Sequence, residues 1–393
     1  MCDIIHGQLI VLHPREWNVD VRGFKQAQYV ESMDGKLERH KLKLREKFPL
    51  SIHLLETEPG AENYVTAELY DWFLAQKQGQ RPRIGPNYLL SVNGSAPTLP
   101  ASPSARGFSF SPKYSNYQSM TGLPAAVAGK RRRILVVDTG IAPDHSLMIH
   151  SSKNILDVSK SSVDDDNGHG TAIALVINDL APNHEFIIYK AADAAGNMNE
   201  WDLLAALSAD SGADIINLSV EYGLATRNCP VCGRQSSSSR STVLEKILDG
   251  TASWANQPVI VAAAGNGQAT QLAYPARFAN IVAVGSVNSS KSLAQPSNSG
   301  SSDHQGKLHQ NHFAAPGGDS NPSNPEYVIQ LSRGTQYRGT SFACAFASAA
   351  VLAIMHSLGT TNLPTILSHL RGHADKSFTC YSSPHHGQGV IHV

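Results

Sequence analysis

The chain has little cysteine for its length, and its five cysteines are an odd number spread over 393 residues. Small secreted domains that depend on disulfides carry a dense and usually even set, so a disulfide framework is not expected. The N-terminus also lacks a basic stretch followed by an apolar core, the pattern of a secretory signal. These two absences together predict a cytoplasmic location.

An excess of charge of one sign is missing as well, because 32 lysines and arginines balance 32 aspartates and glutamates. Neither nucleic acid nor an anionic membrane is therefore expected as the main partner. No apolar run is long and uninterrupted enough for a membrane span: the most apolar one, residues 342–358, contains Ser348 and His356 and predicts a buried helix. The 41% hydrophobic and 16% charged residues are typical of a globular protein.

Composition divides the chain into two parts joined by a linker. Residues 1–92 are mixed and charge-rich, with a strand predicted at 8–12 and an amphipathic helix at 61–76, and they predict a smaller N-terminal α+β domain. Serine, proline and glycine dominate residues 93–112, as is typical of a linker. Residues 113–393 are predicted to form the main domain.

Short runs of apolar, mostly β-branched residues recur from residue 131 onward, with helix-like segments at 201–208 and 242–254 between them. The runs are Ile134–Val137, Phe186–Tyr189, Ile215–Leu218, Val259–Ala262 and Ile281–Val284. Continuously apolar strands are buried on both faces, so we predict a three-layer α/β/α fold with a mostly parallel central sheet. Functional residues of such folds lie at the carboxyl ends of the strands.

Two residues of catalytic type stand at such ends. Asp138 directly follows the first predicted strand, in Val-Val-Asp-Thr-Gly, and His169 stands between glycines at the start of an apolar helical run. The glycines leave the imidazole uncrowded, which favours a functional histidine over a structural one. For Asp138 a turn-capping role stays open, and Asp-Thr-Gly is also the signature of aspartic peptidases.

Ser341, in Arg-Gly-Thr-Ser-Phe-Ala, opens the most apolar helix of the chain. A serine there is often only an N-cap. The same position also offers free backbone N–H groups and the helix dipole to an anion. Asn266, in Ala-Ala-Gly-Asn-Gly, ends another predicted strand, and its carboxamide can supply a second donor to an oxyanion.

These four motifs, in the order Asp138, His169, Asn266 and Ser341, resemble those of the subtilases, the subtilisin-like serine peptidases. The resemblance covers about residues 113–393. It implies a catalytic triad in which Ser341 is the nucleophile, His169 the base and Asp138 the residue that orients the imidazole. It further implies an oxyanion hole that includes Asn266, a protein or peptide substrate, and no cofactor in the chemistry.

The resemblance also implies a set of substrate-binding residues. They are Asn167, Leu218, Ser219, Val220, Glu221, Ala263, Ala264 and Gly265. Glu221 departs from the small residues that are common at its position. We expect it to line the first specificity pocket and to favour a basic substrate residue there, while a solvated carboxylate at the rim is the alternative.

Other departures concern packing and metals. Ala345 stands where the family usually has a proline, which shapes the helix start but performs no chemistry, so activity is expected to survive. Asp164–Asp166 leave calcium open, as in many subtilases. Cys229 and Cys232, in Cys-Pro-Val-Cys-Gly, form half of a zinc knuckle without a second pair, so zinc is not expected.

Residues 1–92 have a size suited to the N-terminal prodomains that inhibit many subtilases and are cut away. Because no secretion signal accompanies them, a permanent domain that regulates the enzyme or binds a regulatory partner is an equal alternative. Two other functions fit the sequence less well. An aspartic peptidase built on Asp138 leaves His169 and Ser341 unexplained, and a catalytically silent subtilase fold used as a binding module is disfavoured by the complete triad.

Overall fold

The computed structural model describes residues 4–45, 48–76, 81–92, 104–123, 130–222, 240–249, 257–332 and 334–393. The chain forms two compact units. The first comprises residues 1–90, 198–211 and 222–255, and the second comprises residues 91–197, 212–221 and 256–393. The N-terminal part of the chain thus shares its unit with two segments from the middle of the sequence.

The strands are β1 (Ile4–Pro14), β2 (Gln28–Ser32), β3 (Leu50–Glu56), β4 (Arg83–Ser91), β5 (Phe108–Phe110), β6 (Arg133–Asp138), β7 (Ile149–Asn154), β8 (Glu185–Lys190), β9 (Asn197–Asn199), β10 (Ile215–Leu218), β11 (Glu221–Tyr222), β12 (Val259–Ala263), β13 (Val282–Val287), β14 (His312–Pro316), β15 (Ile329–Leu331) and β16 (Gln336–Tyr337). The α-helices are α1 (Met33–Arg39), α2 (Glu62–Gln76), α3 (Tyr114–Thr121), α4 (His169–Leu180), α5 (Glu200–Ser208), α6 (Thr242–Asp249), α7 (Thr340–Ser357), α8 (Leu363–His373) and α9 (Ser383–His386).

The first unit is built on an antiparallel sheet in which four strands run in the order β4-β1-β3-β2. Leu9 and Val11 alternate along β1 and point to one face, and Leu69 and Phe73 lie one turn apart on α2. All four side chains are buried in one apolar cluster. The strand and the amphipathic helix predicted for the N-terminal part are both present.

Helix α5 is bound to the N-terminal residues of the first unit by polar contacts as well. The Nζ of Lys36 lies 2.5 Å from the Oδ1 of Asp202, and both side chains are buried. The Nε of Arg45 donates to the carbonyl of Leu207 over 3.0 Å. Glu200 is fully buried in the same unit and accepts a hydrogen bond from the hydroxyl of Ser241. The first two contacts join residues that are more than 100 positions apart in sequence, and the third joins residues 41 positions apart.

The second unit contains a seven-stranded sheet in the order β14-β13-β12-β10-β6-β8-β7, and each of its strand pairs is parallel. All five predicted apolar runs supply strands of this sheet. Ile216 of β10 pairs with Leu135 of β6 on one side and with Ile260 of β12 on the other. Helices α4 and α7 pack against it and against each other. The predicted fold, a mostly parallel sheet layered with helices, is confirmed.

Helix α7 is long and apolar enough to cross a membrane by length and composition, but 89% of it is buried inside the protein. Small residues such as Ala343, Ala347 and Ala350 let the helix lie close to the strands. Its buried polar side chain Ser348 accepts a hydrogen bond from Asn217 of β10 over 3.0 Å. The prediction of a buried helix here is confirmed.

The end of the predicted linker differs from its prediction, because residues 108–110 form β5, which pairs with β15 in a three-stranded sheet. Two aromatic side chains among the serines explain the difference. The ring of Phe108 lies 5.6 Å from that of Tyr337, and Phe110 stacks on Tyr114 at 4.1 Å. Serine and proline content predicted a linker, whereas aromatic packing anchors its last residues.

Candidate active site

Three neighbouring strands end at the same edge of the parallel sheet. Asp138 is the last residue of β6, Leu218 the last of β10 and Ala263 the last of β12, in the spatial order β12-β10-β6. Two helices begin at the other predicted catalytic residues. Helix α4 begins at His169, and helix α7 begins one residue before Ser341. The fold therefore collects the predicted catalytic residues at strand ends and helix starts.

Asp138 and His169 form a buried pair. The Nδ1 of His169 lies 2.8 Å and 3.0 Å from the two carboxylate oxygens of Asp138, and each side chain is only 1% exposed. The backbone N–H of Thr139 also donates to this carboxylate over 2.8 Å. Since an ionised carboxylate can only accept, Nδ1 carries the proton and Nε2 of the neutral ring carries the lone pair. This Nε2 is buried and has no hydrogen-bond partner in the described part of the chain.

The start of α4, and with it the position of His169, is held by a neighbouring aspartate. Asp165 is wholly buried, and its carboxylate accepts from the backbone N–H groups of Asn167, Gly168 and Thr171 at 2.7–3.0 Å. The Thr171 hydroxyl donates to it over 2.6 Å. These bonds satisfy N–H groups that the first helical turn cannot satisfy by itself. Asp165 is thus a structural anchor for the histidine.

The contacts of Asp165 also bear on whether Asp164–Asp166 bind calcium, which the sequence left open. The carboxylate of Asp165 is filled by protein donors, and the carboxylate of Asp166 lies 2.8 Å from the Nζ of Lys190. Within the described ranges, no three His, Cys, Asp or Glu side chains are grouped so as to hold a metal ion. Cys229 and Cys232, the half zinc knuckle, lie outside the described residues.

Ser341 lies in the first turn of α7 and is 1% exposed. Its carbonyl accepts a hydrogen bond from the hydroxyl of Ser219, just beyond β10, over 3.2 Å. The ring of the next residue, Phe342, lies edge-on to the His169 ring with their centroids 5.9 Å apart. The first turn of α7, which carries Ser341, is therefore packed beside the imidazole of His169.

Asn266 lies beyond β12 and contacts Thr340, the residue before the predicted nucleophile. Its Oδ1 accepts from the backbone N–H of Thr340 at 2.9 Å and from the Thr340 hydroxyl at 3.1 Å. Gly339 permits this approach, because a Cβ there would stand 2.7 Å from the same Oδ1 and its φ is +115°. With Oδ1 engaged as acceptor, the amide group of Asn266 is the donor end of the side chain.

The predicted substrate-binding residues fall into two groups. Leu218, Ser219, Val220 and Glu221 continue β10, while Ala263, Ala264 and Gly265 continue β12, with Leu218 paired to Ala262. Asn167 stands apart from both groups. Its side-chain amide donates to the carbonyl of Ala194 over 3.0 Å.

Glu221 reaches from the first group to the second. Its Oε2 accepts from the backbone N–H of Asn266 over 2.9 Å, and the residue is 8% exposed. Burial raises the pKa of this carboxyl to about 7, and the Asn266 N–H partly opposes the shift. The structure therefore places Glu221 against residues 264–267, which we name the oxyanion loop after the role predicted for Asn266.

Several contributors were missed at the level of sequence. Asp165 and Thr340 carry the hydrogen bonds described above. The backbone N–H of Val92 donates to the carbonyl of Gly196 over 2.9 Å, in the loop that also binds Asn167. An aspartate shortly before a glycine at a helix start was a readable capping signal for Asp165. The Val92 contact joins distant backbone groups and leaves no sequence signal.

A buried Asp–His pair, a serine at a helix start and an asparagine beyond a neighbouring strand, on a mostly parallel sheet, define the site of a serine peptidase. The model of the Subtilase family matches residues 129–384, and the chain belongs to this family. The predicted family is confirmed, and the protein is a subtilisin-like serine peptidase.

Relatives and solved structures agree with this assignment. Subtilisin DY of Bacillus licheniformis is 25% identical over 281 residues, covering 67% of this chain and 90% of that protein. The thermophilic serine proteinase of Bacillus sp. strain AK1 is 27% identical over 298 residues, which are 71% of this chain and 64% of that protein.

Two crystal structures share the fold. The epidermin leader peptide processing serine protease of Staphylococcus aureus superposes with a TM-score of 0.66 at 17% identity, over 98% of this chain and 96% of that one. The nisin leader peptidase of Lactococcus lactis gives a TM-score of 0.55 at 18% identity, over 71% and 92%.

Proposed function

We propose that the protein is an endopeptidase that hydrolyses peptide bonds through an acyl-enzyme on Ser341. The orientation of His169 is the observation that carries this proposal. Both oxygens of Asp138 hold Nδ1, and Nε2 is left with its lone pair in a buried site beside the turn that bears Ser341. A histidine held in this way is prepared to accept a proton at Nε2.

In the proposed reaction the Oγ of Ser341 attacks the carbonyl carbon of the scissile bond, and its proton passes to His169 Nε2. The negative charge that develops on the carbonyl oxygen is stabilised by the Asn266 amide and by the backbone N–H of Ser341. The C–N bond then breaks, and the imidazolium returns the proton to the leaving amine. Water repeats the sequence on the ester and releases the acid. Asp138 stabilises the imidazolium throughout.

We also propose that the N-terminal part of the chain restrains this activity. His169 and Ser341 are each 1% exposed, so a substrate reaches them only after some segment has moved. Val92 is bonded to Gly196, and a Cβ on Gly196 would stand 2.9 Å from a Val92 methyl and 3.7 Å from the Asn167 amide. The chain that follows β4 is therefore anchored beside a predicted substrate-binding residue, which supports an inhibitory role.

Labelling with a fluorophosphonate probe tests the nucleophile. Wild type should label, Ser341→Ala should not, and Ser357→Ala, an exposed serine at the far end of the same helix, should label like wild type. Labelling that persists in Ser341→Ala would refute the assignment of the nucleophile. If wild type does not label even after prolonged incubation, either the N-terminal part masks the site or the chain is a silent binding module. Labelling of Val92→Pro, which loosens the contact between Val92 and Gly196, would favour the first, and its failure to label would favour the second.

The restraint has its own test. Purified wild type and Ser341→Ala are incubated, and their intact masses are followed over time. Self-removal of the N-terminal part would shorten wild type by roughly 10 kDa, the approximate mass of 90–100 residues. Equal masses would favour a permanent regulatory domain over a removed prodomain.

A further inference from the structure

Glu221 occupies the space in which two substrate-binding segments face each other. A Cβ built on Gly265 would lie 2.3 Å from both the Oε2 of Glu221 and the Nδ2 of Asn298, and 2.8 Å from the Cβ of Ala273. The φ of Gly265 is +101°, which also disfavours any side chain there. The space beside Gly265 is therefore free of a side chain from its own segment, and the Glu221 carboxylate and the Asn298 amide border it.

Among the described residues, no cationic side chain forms an ion pair with this carboxylate. Its pKa shift has two causes, burial and the Asn266 N–H, and no charged side chain in the described part of the chain contributes to it. The neighbouring side chains of Ala264 and Ala273 are apolar and buried. A carboxylate offers about four acceptor sites, and the Asn266 N–H occupies one of them. A desolvated acid of this kind gains stability when a cation enters and pairs with it.

The position of the carboxylate says which part of a substrate can supply that cation. Glu221 is bonded to the backbone of Asn266, the residue whose amide is proposed to hold the oxyanion. The substrate residue that carries the attacked carbonyl must therefore lie beside Asn266, and its side chain extends from the adjacent Cα. A long basic side chain can reach a carboxylate one residue away from the oxyanion donor.

We propose that Glu221 determines specificity by selecting substrates with arginine or lysine immediately before the scissile bond. This inference rests on the proposed peptidase function and names its substrate class. The side chains of Ala264 and Ala273 are small and uncharged, so a substrate cation that enters beside Gly265 would pair with the Glu221 carboxylate.

The test uses two peptides that differ only in arginine or citrulline before the scissile bond, since citrulline has nearly the same shape without the charge. The full-length protein is assayed as wild type, as Glu221→Gln and as Asp210→Asn, a control that removes an exposed carboxylate. Wild type and Asp210→Asn should prefer arginine by about 100-fold or more in kcat/KM. Glu221→Gln should lose most of that preference, because its arginine peptide should slow far more than its citrulline peptide.

Other results overturn the proposal. If Glu221→Gln slows both peptides by the same factor, the residue only positions the oxyanion loop. If wild type shows no preference for arginine while still labelling with fluorophosphonate, Glu221 does not select a cation although the peptidase function stands. If wild type neither labels nor cleaves, the peptidase function fails and the specificity fails with it. The wild-type comparison needs no variant, so poor folding of Glu221→Gln does not remove the test.

Discussion

The side-chain oxygen of Asn266 and the backbone N–H of Thr340 lie 2.9 Å apart, so one hydrogen bond ties the oxyanion loop to the turn that carries Ser341. This bond fixes the carboxamide with its oxygen toward α7 and its amide toward the other side. This contact orients the donor of the proposed oxyanion hole before substrate arrives.

Replacing Asn266 therefore has a defined expected effect. Asn266→Ala should lower kcat by about 10²–10³-fold, a range established on a subtilisin itself, with little change in KM. Asn266→Asp keeps an acceptor for Thr340 but has no amide donor, and it should lose a similar factor. Steady-state kinetics on a peptide substrate measure both. Full activity in Asn266→Asp would show that the amide does not serve the oxyanion.

The Val92–Gly196 hydrogen bond predicts how the restraint can be loosened. Val92→Pro removes the N–H that donates to the Gly196 carbonyl, whereas Val92→Ala keeps it and only shortens the side chain. The loss of one such bond corresponds to about 0.5–1.5 kcal/mol, so Val92→Pro should label with fluorophosphonate about 2- to 10-fold faster than Val92→Ala. Equal labelling rates for the two variants would argue that this bond does not restrain the site.

The pKa of Glu221, raised to about 7 by burial, predicts a pH-dependent preference. The carboxyl is neutral below that pH and charged above it, so the ratio of kcat/KM for the arginine and citrulline peptides should rise between about pH 6 and 8, by about tenfold. Any effect of pH on the reaction itself is shared by the two peptides and cancels in the ratio. A ratio that stays flat across this range would contradict ionisation of Glu221 in the free enzyme.

The pKa of Glu200, raised to about 8 from an ordinary value of 4.5 because the side chain is fully buried, predicts a loss of stability at alkaline pH. Between these two values the native state holds a proton that the unfolded state has released, so stability falls as pH rises. Glu200→Gln stays neutral and should exceed wild type at pH 9 by a few kcal/mol, with a smaller difference at pH 5. Denaturant unfolding at both pH values measures this. A difference that does not change with pH would contradict the raised pKa.

Much of the second unit could be predicted from sequence because its signals are local. Apolar β-branched runs mark the strands of the parallel sheet, and glycine-flanked polar residues at their ends mark the Asp138, His169, Asn266 and Ser341 motifs. These signals need no knowledge of distant residues. The family model that matches residues 129–384 confirms the family that they predicted.

The features that could not be predicted from sequence depend on contacts between distant segments. Periodicity and composition do not reveal that α5 and α6 share a compact unit with residues 1–90, or that the Val92 N–H finds the Gly196 carbonyl. The burial of Glu221 is also a tertiary effect, since its sequence neighbours fit a solvated rim as well as a closed crevice. Residues 108–110 were predicted from their composition to belong to a linker, but aromatic packing holds them in strand β5.

The buried Lys36–Asp202 pair has a consequence for any form of the protein that has been nicked between its N-terminal and catalytic sequences. Separating the two charges would leave each one buried or newly hydrated without its partner, and breaking such pairs typically costs about 3–5 kcal/mol. A single cut after residue 92 would therefore leave both fragments in one noncovalent complex. Denaturing electrophoresis would show two bands while gel filtration still showed one particle, and cleavage would not be the same event as release.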